Sequence, residues 1–447
     1  MKSWLINHWE SLRANFWFVP TVMVAGAVAL SLVTINLDKA AAYDNWIATL
    51  GWTFTRGPEG SRAVLATVAG SMMTITSVTF SITIVALQLA SSQFGPRLLR
   101  NFMRDRGNQL SLGTFIATFA YCLLILRTVN GTEGQQFVPH ISVTVGLILA
   151  LTSLGVLIYF IHHAAASIQA ENVIANVGRD LDQAIARLYP ECIGVGPQET
   201  MKEGTPPPGF DRESRPVAAG RSDYLQNIDV DRLMDLARQH DLVIGVPHRP
   251  GKFLVAGGDL ARVWPGDRLD DGIADGVRGA FYLGPLRTLT QDVEFAIDQL
   301  VEIAVRALSP GVNDPFTAMN CVDRLGAALV VLAGREIPSA YRYDEDGRLR
   351  VIADASTIEG IVDAAFDQVR QAARTDAAVT IRLLETMATV ASRAPDEVWR
   401  CALRRQAEMV HRGGQQALPE EGDRRVADDR LRDVLRALGS EPPPGDS

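Results

Sequence analysis

The stretch SMMTITSVTFSITIVALQLASSQFGP, from Ser71 to Pro96, decides how the rest of the sequence is interpreted. It carries no charge, and no charged residue lies between Arg62 and Arg97. Because about 20 mostly apolar residues in a helix cross a bilayer core, this stretch is predicted to lie in a membrane-spanning helix. Its middle is nevertheless rich in Ser and Thr, and these hydroxyls need an explanation.

Four segments have the length and hydropathy of a membrane span. They are predicted near residues 16–37, 63–94, 110–129 and 141–161, and together they form a four-helix transmembrane domain at residues 1–166. The second segment is longer than a bilayer requires, so it is expected to tilt or to extend beyond the membrane.

The orientation of the spans follows from the Lys and Arg content of the short loops. The loop after the second span contains Arg97, Arg100, Arg104 and Arg106, whereas the loop after the third span contains neither Lys nor Arg. The basic loop is therefore expected at the cytoplasmic surface, as a contact for anionic lipid or as the mouth of a pore. With four spans, both termini are then cytoplasmic.

The hydroxyls of the second span form a stripe when the segment is drawn as a helix, because their spacing keeps them on one face. The stripe residues are Gly70, Thr74, Ser77, Ser81, Gln88 and Ser91. The opposite side is assigned to Val78, Ile82, Val85 and Leu89, which suit lipid or a protein core.

Two interpretations of the stripe remain open. Small hydroxyl residues let helices approach closely and form hydrogen bonds across their interface. Alternatively, the stripe lines a polar path in an oligomer, where hydroxyls and one amide replace the water around an ion. The candidate pore-lining residues are Thr74, Ser77, Ser81, Gln88 and Ser91. The absence of charge inside the span argues against proton pumping by an intramembrane carboxylate.

The sequence after the spans becomes charged and rich in turns. A linker helix and a Pro/Gly-rich loop are predicted at 167–222, a small β-rich domain at 223–288, a mainly helical domain at 289–440 and a disordered tail at 441–447. The fold class is therefore an α-helical membrane domain with four transmembrane helices, followed by a mixed α/β cytoplasmic domain with a small β-barrel-like or sandwich unit.

A second candidate site lies in LRTLTQDVEFAIDQLVEIAVRALSPGVNDPFTAMNCVDRL, residues 286–325. A helix is predicted from about Asp292 to Leu308, and Asp314 followed by Pro315 is predicted to begin the next. RYDEDGRLRVI, further on, predicts a hairpin with an Asp-Gly turn. A cytoplasmic polar site is assigned to Arg287, Asp292, Glu302, Arg306, Asn313 and Asp314. The alternative for these residues is helix capping and a solvated face.

Several functional classes are disfavoured. The net charge of −8 argues against nucleic-acid binding. The four cysteines are far apart and show no CxxC spacing, so neither a zinc site nor a disulfide framework is predicted. Neither GxSxG, nor a Walker loop, nor HExxH, nor GxGxxG after a strand is present. No catalytic residue, metal site or cofactor is therefore predicted.

Two long segments resemble a known family. They are VTFSITIVALQLASSQFGPRLLRNFMRDRGNQLSLGTFIATFAYCLLILR and the segment at 286–325, and both are similar to the bacterial predicted membrane proteins grouped as domain of unknown function 2254. The resemblance extends to about Arg412. It implies a bacterial inner-membrane protein with four spans and a cytoplasmic region. It implies no activity, so no residue role is transferred.

Three functions are carried forward. The leading one is an oligomeric channel or transport-related protein, gated or assembled by its cytoplasmic domain. The alternative is a non-conducting scaffold or sensor whose cytoplasmic domain binds a ligand or partner. A weaker third is a membrane-bound enzyme using Asp292, Glu302 and Asp314 as carboxylates. The expected partners are the lipid bilayer and further copies of the chain, with an unidentified small ligand or ion.

Overall fold

The structure, a computed structural model, describes residues 17–44, 57–95, 105–129, 137–189 and 204–439. The chain divides into two compact units, at residues 1–172 and 173–447. The predicted disordered tail lies outside the described residues, as does part of the predicted Pro/Gly-rich loop.

The first unit contains four long described helices, three of which pack around the fourth. They are α1 (Phe18–Asp44), α2 (Pro58–Phe94), α3 (Arg106–Thr128) and α4 (His140–Ser167). Helix α3 packs against the other three, and its middle is the most buried part of the unit. Helix α2 ends where Gly95 takes a backbone φ of 107°, a conformation that glycine adopts without steric cost.

The number of membrane spans is confirmed only in part. Five described helices are long and apolar enough to cross a membrane by length and composition: α1 to α4, and Pro315–Ala333 in the second unit. Half of the most apolar stretch of this fifth helix is buried within the protein. A helix buried in the core of a globular unit is apolar for that reason alone. The hydropathy of Pro315–Ala333 therefore has two explanations, and four is not established as the exact number.

The interior of the first unit contains a polar network that the sequence did not predict. The carboxylate of Asp38 in α1 accepts hydrogen bonds from the backbone N–H groups of Ile141 and Ser142 at 2.8 and 2.9 Å, and from the Ser142 hydroxyl at 2.6 Å. Asp38 therefore caps the N-terminus of α4 from another helix. The Tyr121 hydroxyl donates to the Ser142 carbonyl at 3.1 Å and lies 3.0 Å from the Thr34 hydroxyl.

The second unit is mixed α/β. Its first half contains α5 (Ala170–Leu188), α6 (Phe210–Glu213), β1 (Arg215–Ala218), β2 (Asp223–Ile228), α7 (Val230–Gln239), β3 (Val243–Val246), β4 (Phe253–Leu254), β5 (Asp259–Trp264), α8 (Asp271–Arg278) and β6 (Phe281–Gly284). Its second half contains α9 (Val293–Ala307), α10 (Pro315–Ala333), β7 (Tyr341–Tyr343), β8 (Leu349–Ala353), α11 (Ile358–Ala373), α12 (Ala377–Ala391), α13 (Glu397–Ala417) and α14 (Glu421–Ala437).

The strands form two open sheets. One has five strands in the order β1-β5-β3-β8-β7, and the other has three in the order β4-β2-β6. Strands β3 and β8 are parallel, and every other described pair is antiparallel. The expected β-barrel-like unit is therefore wrong: the described strands do not close into a barrel. The local pattern predicts strands and turns, but β8 reaches β3 from roughly 100 residues along the chain and extends the sheet instead of closing it.

The predicted local signals in the second unit are confirmed. The side chain of Asp292 accepts from the N–H of Phe295 and begins α9. Asp314 does the same for Thr317 at the start of α10, whose first residue is proline. Strands β7 and β8 form the predicted hairpin, with Gly347 at a φ of 73° in its turn.

Candidate functional site

The hydroxyl stripe of α2 lies on the outside of its own unit. Thr74, Ser77, Ser81 and Gln88 are exposed, and Ser91 is half-buried. The side of α2 that is buried in the unit carries Ser61, Leu65, Ala69, Met72, Thr79, Ala86, Ala90 and Phe94. Packing within the chain is therefore made by the other side of the helix and does not explain the stripe.

The stripe hydroxyls form hydrogen bonds with the backbone of their own helix. Thr74 donates to the carbonyl of Gly70 at 3.1 Å, Ser77 to Met73 at 3.0 Å and Ser81 to Ser77 at 2.9 Å. Back-bonding of this kind is common for Ser and Thr within helices. Each hydroxyl proton is thereby engaged, while the oxygen keeps lone pairs that can accept from water or approach a cation.

The apolar residues assigned to the side opposite the stripe lie elsewhere. Val78, Ile82, Val85 and Leu89 are all exposed, at 41 to 58% of their maximal area. Val78 and Val85 follow Thr74 and Ser81 by four positions each, which corresponds to roughly 40° around a helix of 3.6 residues per turn. These residues therefore border the stripe, and the opposite side is the buried one. The outer face of α2 is a polar stripe with an apolar margin.

The basic segment after α2 is described only at its end. Arg97, Arg100 and Arg104 lie outside the described residues, and Arg106 is the exposed first residue of α3. Asp105 beside it caps α3, and both of its carboxylate oxygens lie within 2.9 Å of Nε2 of His163. The ring of His163 stacks on Tyr159 at 5.3 Å. Asp105 and His163 therefore join the start of α3 to the end of α4.

The six polar candidates of the second unit fall into two groups at opposite ends of α9. Arg287 forms a bidentate pair with Asp292, with Nε to Oδ2 at 2.8 Å and Nη2 to Oδ1 at 3.0 Å. Its Nη1 reaches Asp298 at 2.6 Å. A helix of 15 residues is about 22 Å long, so residues near the far end of α9 cannot join this group.

The second group lies around the turn from α9 to α10. Glu302 and Arg306 approach each other to 3.9 Å on the last turns of α9. Asn313 adopts a left-handed φ of 50°, and Asp314 uses its carboxylate on the N–H and hydroxyl of Thr317, at 3.1 and 2.6 Å. Capping accounts for the geometry of Asp314 and Asp292.

A cleft of about 140 Å³ opens near the Arg287–Asp292 pair. The lining residues that bear polar side chains include Tyr189, Arg249, Asp292, Arg342, Asp354 and Ser356. Arg249 belongs to the loop after β3, and Asp354 and Ser356 belong to the loop after β8. The cleft therefore lies at the carboxyl ends of the two parallel strands, the place where open α/β sheets bind ligands.

Two arginines at the cleft are paired with carboxylates, whereas Arg342 is not, and the exposed Asp354 of the lining forms no ion pair with a described residue. Arg249 pairs with Glu294 at 2.6 Å, and Arg287 pairs with Asp292. Arg342 donates from Nη1 to the carbonyls of Ser339 and Tyr341, and it has no carboxylate partner among the described residues. Burial lowers the pKa of Arg342, as expected for a cation without such a partner.

Tyr189 contributes a buried hydroxyl to the same cleft. Burial raises the pKa of Tyr189, although its hydrogen bond with Ser356 opposes the shift. The sequence did not indicate this cleft, because its residues come from five segments spread between residues 188 and 356. Within the described ranges, no group of three or more His, Cys, Asp or Glu residues could hold a metal ion.

Comparison with known proteins identifies relatives of the whole chain. The family model described as Predicted membrane protein (DUF2254) matches residues 13–389. Uncharacterized proteins of Mycobacterium tuberculosis (strain ATCC 25618 / H37Rv) and Mycobacterium bovis are each 33% identical over 457 residues, covering 97% of this chain and 83% of their own. No solved structure matches the chain.

Proposed function

Because the chain belongs to the DUF2254 family of predicted membrane proteins, we propose that it spans the bacterial inner membrane four times, through α1 to α4, with both termini in the cytoplasm. Large apolar side chains are exposed along α1, α2 and α4, for example Leu32, Val85 and Ile158. Such a surface suits lipid and is costly in water. Helix α10 remains in the soluble unit, where its apolar residues pack against α9 and α12.

The proposed activity is passive ion conduction by a homo-oligomer whose copies present the α2 stripe to a shared path. The observation that carries it is the exposure of Thr74, Ser77 and Ser81 on the outer face of the unit. Gln88 adds to it, because this exposed amide has no hydrogen-bond partner among the described residues. An amide facing hydrocarbon alone is costly, whereas one facing water or another copy is not.

The test is ion flux from liposomes that contain the purified protein. We expect flux from the wild type and its loss in the double variant Ser77→Leu/Ser81→Leu, because two leucines replace oxygens with bulky apolar groups along the path. The matched control is Thr152→Leu on α4, since Thr152 is also exposed and also donates to its own helix, at 2.9 Å from the Ile148 carbonyl.

Oligomer size is measured for each variant by chemical cross-linking in the same liposomes. Normal assembly with lost flux in the double variant, and retained flux in Thr152→Leu, supports the lining role. Equal flux in the double variant and the wild type would refute that role.

A second candidate function is a non-conducting scaffold or sensor. The cleft at the ends of β3 and β8 favours it, because the second unit then has a place for a ligand that does not depend on a pore. Under this function the wild type conducts no ion under any voltage, and the α2 stripe serves contact between copies. The liposome measurement therefore separates the two functions.

A further inference from the structure

We propose that the cleft at the carboxyl ends of β3 and β8 binds a small organic anion with one carboxylate or phosphate group, held by the guanidinium of Arg342. This inference goes beyond ion conduction and is independent of it. It is supported by the position of the cleft, by the pairing of its arginines with carboxylates, by its other hydrogen-bond donors and by its volume.

The cleft lies at the carboxyl ends of two parallel strands. Strands β3 and β8 are parallel neighbours, with Ile244 paired to Val351 and Val246 to Ala353. Both strands therefore end on the same side of the sheet, and residues of the loops that follow them line the cleft. Such an edge forms a crevice outside the strands and is the usual ligand position in open α/β sheets.

The two arginines that line the cleft differ in their ion pairing. The guanidinium of Arg249 is already neutralised by Glu294, at 2.6 Å. Arg342 donates from one nitrogen to two carbonyls, and no described carboxylate lies within ion-pair distance of it. A guanidinium carries five N–H donors in a planar fork, which suits bidentate binding of carboxylate or phosphate. A half-buried cation in this state is stabilised by an incoming anion.

The remaining lining of the cleft supplies further hydrogen-bond donors. Tyr189, Ser339 and Ser356 also line the cleft, and their hydroxyls can donate to further oxygens of the anion, with one hydrogen bond already shared between Tyr189 and Ser356. Asp354 lines the cleft as well, but it is exposed, so water screens its charge more than that of the half-buried Arg342. The apolar walls are formed by Leu188, Ile337, Pro338 and Ala355. The ligand is therefore expected to have a short apolar body beside its charged group.

The volume of the cleft is small. The cleft measures about 140 Å³, well below the roughly 300–1,000 Å³ typical of pockets for drug-sized ligands. The cleft is open to solvent on one side, so this volume describes the part of a ligand that it encloses. Inorganic phosphate or a short-chain carboxylate is small enough to be enclosed.

The experiment is isothermal titration calorimetry of the full-length protein in detergent micelles. The probes are inorganic phosphate, propionate and the neutral isostere propionamide. We expect saturable binding of phosphate or propionate and none of propionamide. Binding of only one anion identifies the headgroup, and binding of neither would overturn the proposal.

The variants separate Arg342 from general surface charge. Arg342→Gln should weaken anion binding at least about tenfold, the effect of losing one charge-assisted pair. Arg342→Lys keeps the charge without the planar fork and should lie in between. The matched control is Arg348→Gln in the same hairpin, because the Arg348 side chain is 67% exposed and 3.8 Å from Asp241.

Two outcomes contradict the assignment. One is equal affinity in Arg342→Gln and the wild type. The other is an equal loss in Arg348→Gln, which would assign the binding to the surface field of the hairpin. Far-UV circular dichroism of each variant checks folding, and Arg342→Lys supplies a second variant if Arg342→Gln does not fold. This experiment measures binding and not flux, so a negative result would not contradict the proposed ion conduction.

Discussion

The two units differ in where they place their polar groups. In the first unit large apolar side chains such as Leu151 and Ile158 are more than 60% exposed, while Asp38 is 5% exposed. In the second unit the order is reversed: Leu225 and Phe366 are fully buried, and most ion pairs lie at the surface. The first unit therefore has an apolar outer surface, and the second has a charged surface around an apolar core.

In both units the buried charged side chains, which are Asp38, Asp292 and Arg350, have hydrogen-bond partners. Asp38 accepts from three donors, and Arg350 in the second unit reaches Asp344 at 2.7 Å and Asp241 at 2.9 Å. Two features differ from this pattern: the hydroxyl stripe lies on the exposed face of α2, and the half-buried Arg342 guanidinium has no carboxylate partner among the described residues. Departures from local consistency tend to mark functional sites.

The largest effect on stability is expected from a substitution in the polar interior of the first unit. Asp38→Ala leaves two N–H groups at the start of α4 and the Ser142 hydroxyl without their acceptor. We expect a loss of about 3 kcal/mol in the free energy of unfolding, because several hydrogen bonds to a charged acceptor are removed together. Unfolding in mixed detergent micelles with rising SDS measures it.

The matched control for Asp38→Ala is Lys39→Ala, one residue further on, where the side chain is exposed. Surface substitutions of this kind change stability by about 0.5 kcal/mol or less. If both variants unfold at the same SDS fraction, the Asp38 network contributes nothing specific, and the contrast between the two interiors fails.

The next largest effect is expected when the melting temperatures of two arginine variants of the second unit are compared. Arg350→Met leaves Asp344 and Asp241 without their shared partner, so the melting temperature should fall. Arg342→Met removes a cation that has no carboxylate, so the melting temperature should stay the same or rise, as is common where a functional group is kept at the expense of stability. A greater loss in Arg342→Met than in Arg350→Met would contradict the assignment of the two sites.

The pH dependence sharpens the comparison. Hydrogen bonds from Arg350 lower the pKa values of Asp344 and Asp241 in the folded protein. This stabilisation is complete above the unfolded pKa of about 3.9 and is lost as pH falls through the lower folded values. Wild type should therefore lose stability in acid below about pH 4, and Arg350→Met should show a weaker dependence in that window. Parallel curves would show that the pairs contribute nothing.

Local features of the fold could be predicted from the sequence, and long-range ones could not. The caps at Asp292 and Asp314 depend on a few adjacent residues, so their patterns were sufficient. Asp38 caps a helix 104 residues away, and β8 reaches β3 from a similar distance. No local pattern specifies such partners.

The candidate sites show the same limit. Helical spacing identified the stripe of α2, but which side of that helix is buried depends on its packing against α3. The spacing groups the stripe residues on one face, but Val78 and Val85, assigned to the opposite side, border that face. Arg342 had no signal at all, because its isolation from carboxylates is a property of the assembled cleft.

The smallest expected effect on stability distinguishes outward hydroxyls from inward ones. Ser77→Ala and Ser81→Ala together should change the free energy of unfolding by less than about 0.5 kcal/mol, since each hydroxyl bonds only to its own helix. Thr118→Val should cost about 0.6 kcal/mol or more, because that buried hydroxyl lies 3.0 Å from Ser153 on a neighbouring helix.

Flux measured on the Ser77→Ala/Ser81→Ala variant distinguishes the two possible roles of the stripe. If the stripe lines a path, flux changes although stability does not, because oxygens that contact the ion have been removed and nothing in the fold depended on them. If the stripe only joins copies, cross-linking falls while the unfolding of single chains stays constant. If the alanine pair loses as much unfolding free energy as Thr118→Val, these hydroxyls have partners within the fold. That result would contradict both roles of the stripe.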